Sequence, residues 1–206
     1  MKLRILLVGA SGTLGQAIKA ELAQRHEIVT AGLSSGDIRL DIADAKSIVA
    51  ALAKAGPLDA VVCAAGHVTF APLADFKPAN IGESLHTTGI NDKLMGQVNL
   101  ALAARDVLRS GGSVTLTTGI LAERFIAAGH SASLVNNAIE GFVRAAAIEL
   151  NNGLRINAVS PSIVQESMPK FGAFFRGFEP IPAARAALAY SRSVEGLETG
   201  QIYKVF

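Results

Sequence analysis

Tryptophan is absent from the 206 residues, tyrosine occurs twice, cysteine once, and only 17% of the chain is charged. The single cysteine, Cys63, excludes an intramolecular disulfide and any cysteine-based metal cage. Its neighbours Val61 and Val62 give it the setting of a buried strand residue. No apolar run approaches the roughly 20 residues that a spanning helix needs. The segment Met1 to Val8 turns at once into glycines, where a secretory signal has a longer apolar run and a small-residue cleavage site. The expectation is a cytoplasmic protein with no membrane partner. An excess of one charge is also missing: 19 Lys and Arg against 17 Asp and Glu leave a scattered net charge of +2. Nothing in that balance asks for nucleic acid. What the chain does have is 50% apolar residues and 20 glycines, a core-rich composition that excludes disorder and collagen. At this length one domain over residues 1–206 is expected.

Apolar runs and helical periodicities alternate along the chain. Leu3 to Val8, Glu27 to Ala31, Ile38 to Leu40, Leu58 to Ala64, Ser113 to Thr118, Leu154 to Ser160 and Gln201 to Phe206 read as strands. Thr13 to Ala23, Ala45 to Ala55, Ile90 to Leu108, Ser131 to Leu150 and Pro182 to Tyr190 read as helices. Short apolar strands separated by helices predict an α/β protein: a doubly wound parallel sheet of seven strands with helices on both faces. The segment Ser162 to Ile181 is irregular and carries Phe171, Phe174, Phe175 and Phe178. It reads either as a loop fastened to the core by its phenylalanines or as a lid over a pocket.

The most informative local pattern is Gly9-Ala10-Ser11-Gly12-Thr13-Leu14-Gly15, between the first strand and the first helix. A helix N-terminus carries unpaired N–H groups and partial positive charge, and backbone without side chains lets a pyrophosphate close on them. A tight turn alone needs one glycine, not three. Gly9, Ser11, Gly12, Thr13, Leu14 and Gly15 are therefore the candidate cradle of a dinucleotide. In nicotinamide-binding folds an acidic residue at the tip of the second strand takes the adenosine ribose. Here the tip reads Ala31-Gly32-Leu33-Ser34-Ser35-Gly36, with no carboxylate before Asp37. That favours NADP over NAD, with Ser34 as a donor to a 2′-phosphate, although no arginine stands in the tip itself.

Five segments in order resemble the short-chain dehydrogenase/reductase family, and the resemblance runs over essentially the whole chain. They are the glycine turn, Asp41-Ile42, Cys63-Ala64-Ala65-Gly66, Arg155-Ile156-Asn157-Ala158-Val159-Ser160-Pro161-Ser162 and Thr199-Gly200-Gln201-Ile202. The resemblance implies a Rossmann fold and a cofactor site. In it Asp41 and Ile42 hold the adenine, Ala64, Ala65 and Gly66 close the fourth strand on the cofactor, and Pro161 and Ser162 meet the nicotinamide. It also implies a tyrosine acid, a lysine four residues later, a serine and an asparagine. Anchored on Ile139-Glu140-Gly141-Phe142, the tyrosine position holds Ala132 and the lysine position Asn136; a second register puts His130 and Leu134 there. The pair is missing in both. The serine position falls on Thr118 and the asparagine position on Lys93. Lys93 reads either as a solvated helix residue or as a replacement cation, so Thr118, Lys93 and Asn136 are the candidate catalytic residues. His67 and His130 read as ordinary loop histidines, with no carboxylate pattern beside them, and no metal-ligand spacing occurs.

Two functions follow as expectations. One is an NAD(P)-dependent oxidoreductase moving hydride between the nicotinamide and a carbonyl or alcohol of unidentified structure. The other is a dinucleotide-binding sensor or interaction protein with weak catalysis or none. The small residues Ala138, Gly141, Ala145, Ala146 and Ala147, with the Ile90 to Leu108 helix, resemble the family's pairing helices and imply a homodimer or homotetramer.

Overall fold

The computed structural model describes residues 2–206. Its seven strands form one parallel sheet in the order β3-β2-β1-β4-β5-β6-β7. They are β1 (Arg4–Val8), β2 (Glu27–Gly32), β3 (Ile38–Arg39), β4 (Leu58–Cys63), β5 (Leu108–Thr117), β6 (Arg155–Pro161) and β7 (Ile202–Val205). The central strands read as continuous apolar runs because both of their faces are covered. Alternation along β1 and β4 sends Leu6, Val8, Val61 and Cys63 into one layer and Ile5, Leu7, Ala60 and Val62 into the other. The first layer is closed by α2 (Ala45–Ala55), α3 (Gly96–Ala104) and α4 (His130–Glu149), through Ile48, Leu52, Leu100, Ile139 and Val143. The second is closed by α1 (Thr13–Leu22) and α6 (Ala183–Glu195), through Ile18, Leu22, Ala187 and Tyr190. The sheet winds outward in opposite directions from β1 and β4, so a crevice opens at the C-terminal ends of those two strands. Among the described residues no helix is long and apolar enough to cross a membrane.

Three elements differ from the sequence expectation. The helix expected over Ile90 to Leu108 is a π-helical stretch, Gly89–Met95, continued by α3, which stops at Ala104. The chain then rejoins the sheet early, because the Leu58 N–H donates to the Val107 carbonyl and Leu108 pairs with Leu58. β5 therefore begins at Leu108, and its register shifts between the Leu58 and Ala60 pairs so that Arg109 to Gly112 bulge outward. α6 continues past Tyr190 to Glu195. Buried serines conceal this part of the helix from an apolar pattern: Ser193 Oγ lies 2.7 Å from Thr115 Oγ1, and Ser191 Oγ donates to Glu21.

The segment from Ser162 to Ile181 combines the two readings. A parallel bridge joins Val164 to Ile181 and the Ser162 hydroxyl donates to the Glu179 carbonyl, which pins its ends together. Between them lie Gln165–Ser167 and the short α5 (Met168–Phe171), and Phe171, Phe175 and Phe178 join a separate apolar cluster with Ile120, Leu121 and Ala132.

Candidate functional site

The glycine turn lies at the crevice. A Cβ at Gly15 would stand 2.0 Å from the Gly9 carbonyl oxygen, so this glycine is required for α1 to meet its own turn. Gly12 is different: its φ is −73° and a Cβ there would meet only the Gly9 oxygen, at 3.5 Å. The fold does not require glycine at 12. The bare backbone there leaves open space at the start of a helix with no side-chain cap and no acid in its first turn, which is the setting an anion needs.

Two adjoining spaces collect the sequence-predicted residues. A groove of about 360 Å³ is lined by Gly9, Ser11, Gly12, Ser34, Asp41, Ile42, Ala64, Ala65 and Gly66. A cavity of about 250 Å³ continues beyond the turn and is lined by Thr13, Leu14, Lys93, Thr118, Asn136, Pro161 and Ser162. Gly15 lines neither. Its part is the packing just described.

Lys93 is half-buried in the cavity wall. Gly66 makes room for it: at φ +129°, a Cβ on Gly66 would sit 2.9 Å from Lys93 Cβ. The Lys93 ammonium donates to the Thr118 carbonyl at 3.4 Å. Desolvation holds its pKa down at about 8, against the usual 10.5. Thr118 follows the end of β5, where the buried Gln97 fixes the preceding residue through bonds to both the N–H and the carbonyl of Thr117, at 2.8 and 2.9 Å. The Thr118 hydroxyl faces Glu140 Oε1 at 3.3 Å and the Val159 carbonyl at 3.4 Å.

On α4, Ala132 and Asn136 are buried and line the cavity one turn apart. Asn136 Nδ2 donates to the Gly119 carbonyl at 3.4 Å, while its Oδ1 is buried with no partner. The positions of the second register point elsewhere. His130 packs against Phe76 and His86, with ring centroids at 4.2 and 5.3 Å, and Leu134 is exposed. Neither tyrosine enters the cavity. Tyr190 is buried on α6 with its hydroxyl 2.7 Å from Thr117 Oγ1, and Tyr203 on β7 donates to Glu198. Cys63 is a buried strand residue, its thiol pushed up to about 12 by desolvation.

At the other end of the groove, Asp37 turns away from the opening. Its carboxylate accepts from both the Thr30 N–H and hydroxyl, at 2.9 and 2.7 Å, which holds its pKa below the usual range. The tip beyond β2 is not without an arginine in space. Gly32 pairs with Arg39 across β2 and β3, and the Arg39 guanidinium donates to the Leu33 carbonyl at 3.0 Å, beside Ser34. His67 also gains a carboxylate that local sequence did not offer, with Nδ1 2.7 Å from Asp92 Oδ2; both residues line the groove. The available signal was that Asp92 immediately precedes Lys93 and travels with it into the crevice. Among the described residues no cluster of three or more His, Cys, Asp or Glu side chains is placed to hold a metal.

A parallel sheet of this strand order, with a glycine turn and an uncapped helix start at its crevice, defines the class: a doubly wound, Rossmann-like nucleotide-binding fold. The family model described as Enoyl-(Acyl carrier protein) reductase matches residues 5–201, and the chain belongs to the short-chain dehydrogenase/reductase family that it represents. The crystal structure of the protein lin1944 from Listeria innocua is similar at 45% identity, with 99% of this chain and 100% of that one covered and a TM-score of 0.95. A small-chain dehydrogenase solved in complex with NADPH is similar at 23% identity, with 100% and 97% covered and a TM-score of 0.84. A glucose/ribitol dehydrogenase of the same family from Brucella melitensis has 22% identity, 100% and 97% coverage and a TM-score of 0.80. No curated protein matches the chain.

Proposed function

We propose that this protein is an NAD(P)-dependent oxidoreductase acting on a carbonyl or alcohol, with NADP(H) as the preferred cofactor. The observation that carries the reading is Gly12: a bare position that the fold does not need, at an uncapped helix start, between a groove and a cavity. Gly9, Ser11, Gly12 and Thr13 would hold the pyrophosphate, with Asp41, Ile42 and Ala64 to Gly66 along the adenosine side. Pro161 and Ser162 would flank the nicotinamide, and the unpartnered Asn136 Oδ1 offers an acceptor to a cofactor hydroxyl or amide. Bound there, the nicotinamide supplies the hydride. Arg39 and Ser34 give a 2′-phosphate a cation and a hydroxyl, while Asp37 is held away from it. An NADPH complex among the structural relatives is consistent with that preference.

The proton comes from this chain. Among the described residues Lys93 is the one charged group lining the cavity, and a pKa of about 8 leaves it protonated at neutral pH yet ready to release its proton. It gives that proton to the carbonyl oxygen during reduction and is reprotonated from solvent. Thr118 stands beside it in a positioning role, its carbonyl accepting from the ammonium while its hydroxyl is turned to Glu140. The test is NADPH oxidation over a panel of carbonyl compounds, run beside calorimetric binding of NADP and NAD. Turnover that Lys93→Ala removes supports the reading. Tight binding without turnover would leave the sensor function, and absence of binding would overturn both.

A further inference from the structure

The wall of the cavity facing away from the glycine turn is made by Val68, Phe70, Ile120, Leu121, Phe171 and Phe175. These side chains come from three separate segments: the loop after β4, the turn after β5 and the pinned segment between Ser162 and Ile181. Phe70 meets Phe171 at 5.7 Å and Phe174 at 5.6 Å between ring centroids, so the two long loops touch across the mouth through phenyl rings. Phe175 is buried against Phe178 at 5.5 Å, which anchors the second loop from behind. The Ala71 N–H donates to the Ala128 carbonyl and anchors the first. Among the described residues no carboxylate lines this space, and its volume is about 250 Å³, below the roughly 300–1,000 Å³ of pockets for drug-sized ligands.

Such a wall discriminates by desolvation. A polyhydroxylated substrate would lose water to phenyl and aliphatic surface that returns no hydrogen bonds, whereas an apolar body gains by burial. We propose that the cavity takes a small carbonyl compound with an aromatic or compact aliphatic body, and that Phe70 and Phe171 form the clamp that selects it. This rests on the oxidoreductase reading of the same site. The acyl thioester implied by the name of the matching family model would extend beyond a space of this volume. The ring contacts also set the direction of selectivity: Phe70 and Phe171 are in contact, so compact bodies fit behind them and bulky branched ones must part the loops.

The experiment compares benzaldehyde, glyceraldehyde and crotonyl-coenzyme A as substrates with NADPH. It also measures saturation-transfer NMR from the protein to benzyl alcohol and to glycerol, with and without NADP. Benzaldehyde is expected to exceed glyceraldehyde in kcat/KM by about 100-fold, a spread that apolar pockets reach. Phe171→Ala and Phe70→Ala should each reduce that ratio about tenfold through KM, with Phe171→Leu retaining most of it and NADPH affinity unchanged. Benzyl alcohol should receive saturation in the parent and lose it in Phe171→Ala; glycerol should receive none. If no aldehyde is reduced but benzyl alcohol still binds in this Phe171-dependent way, the oxidoreductase reading fails and the apolar pocket stands. Preference for glyceraldehyde or for the thioester, or benzyl alcohol binding indifferent to both phenylalanines, overturns the proposal.

Discussion

Lys93 shows how much one side chain depends on its surroundings. An ammonium in water titrates near 10.5; here desolvation brings it to about 8 without a neighbouring carboxylate to restore it. The sign of the pH effect follows. Reduction needs the protonated amine, so kcat/KM for reduction should fall as pH rises through about 8, and oxidation of the alcohol, which needs the neutral amine, should rise over the same interval. Lys93→Ala should remove that inflection and lower reduction by about 10²-fold or more, the range that general acids contribute. A pH–rate profile of parent and variant in both directions checks this; an unchanged inflection in the variant would assign the titration elsewhere. Arg39 is the second informative residue, because β-pairing brings it to a tip where sequence order does not. Charge-assisted bonds at a partly solvated site support an effect of about tenfold. Arg39→Ala should therefore weaken NADPH by about that factor while leaving NADH nearly unchanged, as measured by calorimetry.

At the scale of elements, the strands and helices around the groove were legible because each has one simple cause. A strand buried on both faces must be a short apolar run, and a glycine turn between strand and helix has few other uses. The parts that were not legible are those where contacts distant in sequence decide. The π-helical turn that points Lys93 inward, the bulge before Ser113 and the serines that carry α6 to Glu195 depend on Gly66, Leu58 and Thr115. The same holds for the paired helices. Of the small residues on α4, Ala146 and Ala147 pack against the protein's own core, while Gly141 and Ala145 are exposed and a Cβ at 141 would meet nothing within 4 Å. With Leu134, Ile148 and Leu102 they leave an apolar face uncovered, Ile148 being 87% exposed. We propose a symmetric homo-oligomer through this α3 and α4 face. Light scattering at micromolar concentration should give at least a dimeric mass, and Ile148→Glu with Gly141→Arg should give a monomer that keeps its fold.

At the scale of the whole molecule, the groove is built where the fold least needs it, at the ends of strands whose packing is complete without a ligand. That separates Gly15 and Gly12 by what each would do to stability and to binding. Val at 15 must displace the Gly9 carbonyl, so Gly15→Val should lower the melting temperature of the ligand-free protein; an overpacking cost of about 1–3 kcal/mol corresponds to roughly 2–12 °C for a chain of this size. Gly12→Val meets only ordinary contact within the protein and should leave that temperature nearly unaltered. The two reverse in the presence of cofactor. A ligand at 100 times its Kd stabilises the native state by about 2.7 kcal/mol, or roughly 5–10 °C here. The parent should show that rise with NADPH, and Gly12→Val should show none, because the valine methyls would fill the space left for the pyrophosphate. Thermal unfolding of the parent and both variants, with and without NADPH, decides the matter: a Gly12→Val protein that still gains several degrees would place the dinucleotide away from this turn.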